Sequence, residues 1–301
     1  MLKELVKKIE QLKKGRNAVI LVHNYQLPEV QDIADFSGDS LGLSREAAKS
    51  KAKIIVFCGV YFMAETASIL CPDKIILIAD PLAGCPMANM ITVEDVKQLK
   101  KRHPKAVVVG YVNTPADVKA ELDVCCTSAN AVEVVSKIKD DEIIFVPDKY
   151  LGDYVSKKTG KRLITWEGYC PTHVKILPED IVKQVRLHPG AEVMVHPECR
   201  PEVIELADHV FSTGKMCTYV KRSPLKEFII GTETGMVYRL QKDNPGKKFY
   251  PATEHAVCPN MKRTTLEKVL WSLQELKTEV RVSDEVRRKA RRAIDKMVEL
   301  A

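Results

Sequence analysis

Residues 18–40 read AVILVHNYQLPEVQDIADFSGDS, and the same plan returns as AVVVGYVNTPADVKAELDVCCTSAN over 106–130 and as AEVMVHPECRPEVIELADHVFSTGK over 191–215. Each copy opens on a short apolar run that ends in a polar cluster: His23-Asn24-Tyr25, Tyr111-Val112-Asn113 and His196-Pro197-Glu198. An aspartate stands twelve residues beyond the first member of each cluster, at Asp35, Asp123 and Asp208, and a small hydroxyl residue seventeen beyond, at Ser40, Ser128 and Thr213. Ahead of each copy lies a matching amphipathic stretch: LKELVKKIEQLKK, VEDVKQLKKRHPK and PEDIVKQVRLHPG. The period of roughly 86 residues is far longer than the repeats of stacked solenoids. Units of that size bury their own faces, which predicts three small domains around a pseudo-threefold axis.

Within each unit, apolar runs alternate with amphipathic stretches. The runs are AVILV, KIIVF and KIILIA; then AVVVG, EIIFV and RLITW; then AEVMV, EFIIG and KKFYP. Between them stand helical patterns such as YFMAETASIL, YLGDYVSKKT and GMVYRLQKD. Continuous apolar strands separated by helices are the mark of parallel sheets covered on both faces. The expected fold class is α/β, three similar three-layer αβα domains with parallel sheets, the active site at their centre. The expected bounds are 1–84 with 258–301, then 85–169, then 170–257, the last 43 residues packing back on the first domain.

Each unit closes on a Cys-Pro step, at Cys85-Pro86, Cys170-Pro171 and Cys258-Pro259. Three equivalent thiols brought to a common centre make a metal or cluster site with one ligand position open. Zinc would need a fourth ligand from His173 or water. A cubane iron–sulfur cluster held by three thiolates keeps one iron exposed, able to act as a Lewis acid toward a hydroxyl, carboxylate or ring nitrogen. Cys71-Pro72 shares the dipeptide but falls outside the register. Cys58, Cys125, Cys126, Cys199 and Cys217 read as ordinary small apolar or loop residues, with Cys199 next to the cluster at 196–198.

In open parallel sheets, ligands bind beyond the carboxyl ends of the strands, so the three polar clusters should face one cavity. The pairs Asp39-Ser40, Thr127-Ser128 and Ser212-Thr213 precede helical stretches, where hydroxyls and free backbone N–H groups can hold phosphate or carboxylate oxygens. The chain has 301 residues, nine cysteines and a net charge of +7. With no secretory pattern and an odd cysteine count, reduced thiols and a cytoplasmic setting are expected. The basic run VRRKARR at 286–292 has acidic neighbours and no interleaved aromatics, so it reads as a solvated helix face and not as a nucleic-acid surface. No apolar run is long enough to cross a bilayer. The sequence lacks a P-loop, a G-x-G-x-x-G fingerprint, H-E-x-x-H and a serine elbow.

Ten segments in order resemble one family: HNYQLPEVQDIADFSGDSL, CPMAN, YVNTPAD, CTSANAVEVV, PDKYLGDYV, CPTH, HPEC, FSTGKM, IGTETGM and CPNMK. Together, from about residue 15 to 275, they resemble quinolinate synthase. The resemblance implies an enzyme of NAD biosynthesis that condenses iminoaspartate with dihydroxyacetone phosphate, releasing phosphate and two waters. It further implies a [4Fe-4S] cluster on Cys85, Cys170 and Cys258, in an active site lined by His23, Tyr25, Ser40, Tyr111, Asn113, Ser128, His196, Glu198 and Thr213. Glu198 is the leading general base, Tyr25 an acid or gate, and His23, His196 and Tyr111 are further catalytic candidates. Some relatives carry C-x-x-C-x-x-C at the last ligand, whereas Cys258-Pro-Asn-Met holds one cysteine. The instability of the imine makes transient contact with the enzyme supplying it an expectation. Other readings of the pattern are a three-cysteine cluster enzyme that reduces a diphosphate alcohol or builds diphthamide, which would need an electron donor, and a metal-holding sensor.

Overall fold

The apolar runs form strands because each is three to six residues, most of them rich in β-branched or aromatic side chains, flanked by helix caps and turns. The computed structural model describes residues 2–300. Its first sheet contains β1 (Ala18–His23), β2 (Phe36–Gly38), β3 (Ile54–Cys58) and β4 (Ile75–Ile78). The second contains β5 (Val107–Tyr111), β6 (Val124–Cys126), β7 (Ile143–Val146) and β8 (Leu163–Thr165). The third contains β9 (Glu192–Val195), β10 (His209–Val210), β11 (Glu227–Gly231) and β12 (Lys248–Pro251). Every pairing between these strands is parallel, and the spatial order is the same three times: β2-β1-β3-β4, β6-β5-β7-β8 and β10-β9-β11-β12. Helices flank all three sheets, as expected for three αβα units.

The sequence pattern shows three strands per unit; the structure adds a fourth at one edge. β2, β6 and β10 span only two or three residues, too few to produce a periodic signal. What holds each edge is the repeated aspartate. Asp35 accepts the backbone N–H of Ile20, Asp123 that of Val108 and Asp208 that of Val193, each at 2.8 Å. In the first two units the aspartate's own N–H returns to the carbonyl of the same strand residue. A hydrogen bond to a charged acceptor contributes about 1.5–3 kcal/mol, enough to pin so short a strand.

The apolar faces divide into three clusters. On one face of the first sheet, Ile20, Val22 and Val56 pack with Ile9 of helix Leu2–Gly15 and Leu273 of helix Leu266–Glu275. On one face of the third sheet, Val193, Val195 and Ile229 pack with Ile181 of helix Pro178–Leu187. The remaining core is continuous across all three units, from Leu21 and Phe57 through Val109 and Phe145 to Met194 and Ile230. The sheets therefore meet on one shared interior.

The closing segment departs from expectation in one respect. Helix Leu266–Glu275 does lie on the first unit, against helix Leu2–Gly15 and β3. Helix Asp284–Leu300 instead lies mainly on the second unit, against β6 and helix Ala116–Lys119, while touching helix Tyr61–Leu70 of the first. Its apolar stripe, Ala290, Ala293, Ile294 and Met297, is buried in the shared core, and an amphipathic pattern does not say which unit it will cover. Its charged face carries the pairs Arg287–Asp284, Lys289–Glu285 and Arg291–Asp295. Among the described residues, no helix is long and apolar enough to cross a membrane.

Candidate active site

The three Cys-Pro loops follow β4, β8 and β12, and each turns into a single 3₁₀ turn: Ala88–Met90, His173–Lys175 and Met261–Arg263. The turn serves the sulfur. Cys85 receives a backbone N–H from Ala88, Cys170 from His173 and Cys258 from Met261, in every case three residues on. The carbonyl of each cysteine is likewise bonded within its turn, from Asn89, Val174 and Lys262. All three cysteines line one cavity of about 700 Å³, its open part included. Burial pushes the Cys85 thiol up to about 12 and raises those of Cys170 and Cys258.

The remaining sequence-derived candidates line the same cavity: His23, Tyr25 and Ser40 from the first unit; Tyr111, Asn113 and Ser128 from the second; His196, Glu198 and Thr213 from the third. They form layers. Two tight turns beyond β1 and β9 have the same internal geometry: Tyr25 N–H donates to His23 Nδ1 at 3.2 Å, and Glu198 N–H to His196 Nδ1 at 3.4 Å. Burial lowers both imidazoles to about 3, leaving them neutral. Tyr111 Oη donates to Glu198 Oε1 at 2.6 Å, linking the second unit to the third.

Glu198 is buried, and desolvation alone would raise its carboxyl. The hydrogen bonds it accepts from His173 and Tyr111 hold it below the usual carboxylate range. Burial and the Glu198 charge together push the phenols of Tyr25 and Tyr111 well above their ordinary value. The site thus combines an ionised carboxylate with two firmly protonated phenols and two neutral imidazoles.

Toward the helix ends the hydroxyls gather. Ser40 opens helix Ser40–Lys49, whose cap Asp39 accepts the Gly42 N–H at 2.8 Å. Thr213 opens helix Thr213–Arg222, capped by Ser212, and accepts a hydrogen bond from Asn24 Nδ2 at 3.0 Å. Ser128 differs. It lies three residues ahead of helix Ala131–Lys137, within a turn where Asn130 Oδ1 accepts from Thr127, and its Oγ is 3.2 Å from His196 Nε2. Asn113 Oδ1 is buried without a hydrogen-bond partner, an acceptor free for a ligand donor.

Several residues were absent from the sequence-derived set. His173 is the most central: its Nδ1 lies 3.1 Å from Cys170 Sγ and 2.8 Å from Glu198 Oε2, and its Nε2 2.8 Å from Thr232 Oγ1. Its place three residues after Cys170 is a usable signal, one that from the sequence points only to a zinc ligand. Phe62 and Met63, from helix Tyr61–Leu70, supply an apolar wall, and Glu233 adds a second buried carboxylate. Cys199, by contrast, turns away from the cavity toward Gly231 O at 3.4 Å.

Which metal group would these donors suit? Cys170, His173 and Glu198 place one ligand atom each within 4.8 Å of one another. That set uses a single thiol, and His173 and Glu198 already bond to each other, with Tyr111 occupying the second carboxylate oxygen. The three-thiol set is the better fit for a cluster: three sulfurs from three units reach one cavity, and each already receives a backbone N–H, the hydrogen bonding that tunes cluster sulfurs.

The chain is similar to known proteins over nearly its whole length. The family model described as Quinolinate synthetase A protein matches residues 7–299. A quinolinate synthase of Dehalococcoides mccartyi strain CBDB1 is 57% identical over 299 residues, covering 99% of each chain. One from Methanosarcina barkeri is 56% identical over 295 residues, 98% of this chain and 97% of that one. One from Thermodesulfovibrio yellowstonii is 54% identical over 301 residues, 100% of this chain and 99% of the other.

Proposed function

This chain belongs to the quinolinate synthase family of enzymes, and from that premise we propose that it condenses iminoaspartate with dihydroxyacetone phosphate, releasing phosphate and two waters to give quinolinate. The carbons, nitrogen and hydrogens of the two substrates balance against those products with no external oxidant or reductant. The observation that carries the reading is the single cavity with thiols from three units, one ionised carboxylate and helix-borne hydroxyls on its wall.

Cys85, Cys170 and Cys258 would hold a [4Fe-4S] cluster by three of its irons. When bound, such a cluster supplies a Lewis acid at its fourth iron, suited to a carboxylate, a nitrogen or a departing hydroxyl. The chain's own groups do the rest. Ser40, Ser128 and Thr213, with the N-termini of the helices at Ser40 and Thr213, hold the phosphate and carboxylate oxygens. Asn113 accepts from a substrate donor at its open Oδ1. Glu198 takes up the proton in the enolisation and dehydration steps, its carboxylate oriented by Tyr111 and His173. Tyr25, a protonated phenol, donates to a departing oxygen, while the neutral His23 and His196 anchor their turns and offer ring nitrogens to substrate. Water is held back by Phe62, Met63 and Leu41.

On this reading the cluster loops are also the joints of the molecule, dividing it into 1–84 with 258–301, 85–169 and 170–257 about a pseudo-threefold axis. The imine is supplied through transient contact with the enzyme that makes it. The test is anaerobic purification, iron and sulfide analysis, and a quinolinate assay on the same sample. Near four irons and four sulfides with quinolinate formed is the expected result. A fully loaded protein that makes no quinolinate from both substrates would overturn the proposal, as would zinc in place of iron.

A further inference from the structure

Glu233 and Lys262 take no part in the chemistry described so far, yet they occupy a junction between three segments. Glu233 is fully buried and both its oxygens are used. Oε2 accepts the Gly235 N–H at 2.7 Å and Lys262 Nζ at 3.0 Å; Oε1 accepts the Cys258 N–H at 3.1 Å and lies 2.9 Å from Lys262 Nζ. One carboxylate therefore bonds the backbone of a thiol ligand directly. Lys262 sits on the same turn, its N–H bonded to Cys258 O at 3.3 Å, and its ammonium also donates to the carbonyl of Tyr25.

Tyr25 is thus held at both ends, by the segment after β11 and by the Cys258 turn. Its hydroxyl lies 2.6 Å from Thr232 Oγ1, and its carbonyl is bound by the lysine that Glu233 holds. The turn beneath it is fastened to the same place: Gln31 Nε2 donates to Asn24 O at 3.1 Å, Gln26 O at 2.9 Å and Gly235 O at 3.1 Å. Gly235 allows the approach. A Cβ there would stand 2.8 Å from Lys262 Nζ and 2.9 Å from both Glu233 Oε2 and the Tyr25 carbonyl carbon. A buried ion pair is weak evidence of stability, because desolvation offsets its attraction, but it fixes relative placement.

We propose that the Glu233–Lys262 pair positions Tyr25 against the Cys258 loop, so that loading of the three-thiol site and the setting of the Tyr25 phenol are coupled. The inference rests on the reading that the three thiols hold a cluster. Coupling is reciprocal: a filled site steadies the Tyr25 turn, and a steadied turn favours the filled site. Both residues are positioning residues, acting through Tyr25 and Cys258.

The experiment is hydrogen exchange of the peptide covering residues 24–27, in cluster-free and cluster-loaded protein, for the wild type and for Glu233→Gln/Lys262→Met, which removes both charges together. In the wild type, loading should slow exchange there by about tenfold. In the double variant the loaded state should show its iron absorbance while that difference shrinks to about twofold or less. Lys262→Arg, which keeps the charge, should restore most of it. In turnover, the double variant should lose about tenfold in kcat with little change in KM, and should lose nothing further when combined with Tyr25→Phe. A loaded double variant that keeps the full wild-type difference overturns the coupling. Should the double variant not fold, the wild-type arm decides: exchange at 24–27 that ignores loading also overturns it. A wild type that takes up no iron at all sinks the thiol reading and this inference with it, a result distinct from unchanged exchange in loaded protein.

Discussion

The turns at His23–Tyr25 and His196–Glu198 are the same piece of backbone put to two uses. Both follow the central strand of their sheet, both bury an imidazole, and in both the imidazole Nδ1 accepts the N–H two residues on. The residue carrying that N–H is a tyrosine in the first unit and a glutamate in the third. Burial drives the phenol's pKa up and would drive the carboxyl's up too, but the hydrogen bonds from His173 and Tyr111 keep Glu198 ionised. A repeated fold thus supplies repeated positions, and neighbours contributed by the other units make the positions chemically distinct.

The most severe way to break the comparison is to remove the centre both turns face. Replacing Cys85, Cys170 or Cys258 by alanine should abolish both the cluster's visible absorbance and quinolinate formation. Next in size is the contrast between the turns themselves. Glu198→Gln should lower kcat by about 10³-fold, and Tyr25→Phe by about 10–100-fold, each with the cluster spectrum retained. Equal losses, or an active Glu198→Gln enzyme, would erase the distinction drawn here. Tyr111→Phe sharpens it further. Deleting the donor to the Glu198 carboxylate removes one of the influences holding its pKa down, so the acid limb of the kcat/KM profile should move to higher pH, with about a tenfold loss at the optimum. The smallest effect concerns the caps that aim the hydroxyl-bearing helices. Asp39→Ala and Ser212→Ala should each cost about 1 kcal/mol in denaturant unfolding, with substrate KM raised and kcat little changed.

Much of this was legible in the chain because repetition made it so. The central strands announce themselves as apolar runs of four to six residues, and the twelve candidate side chains that line the cavity as positions recurring in register. The edge strands were not legible, being too short to carry a period, and it is the aspartates, visible as a repeat but silent about their purpose, that define them. The final helix shows its amphipathic face without showing which unit it will cover. Thr232, Glu233 and Lys262 lie within two of the quoted segments, IGTETGM and CPNMK, but their residue types do not announce the contacts they make with one another and with Tyr25. Lys119 shows a different limit: nothing in its surrounding sequence marks it for burial, yet it is fully buried, donating to Thr114 O with Phe62 5.4 Å from its ammonium. Only the meeting of two units creates that environment.

The hydroxyl stands five positions beyond each of the repeated aspartates, Ser40 after Asp35, Ser128 after Asp123 and Thr213 after Asp208. The carboxylate is a surveyor's peg driven into the strand, and the hydroxyl is measured off from it. Inserting or deleting a single residue in that interval would leave the sheet intact while carrying the hydroxyl away from its place on the cavity wall. Length, and not only composition, is therefore under constraint there.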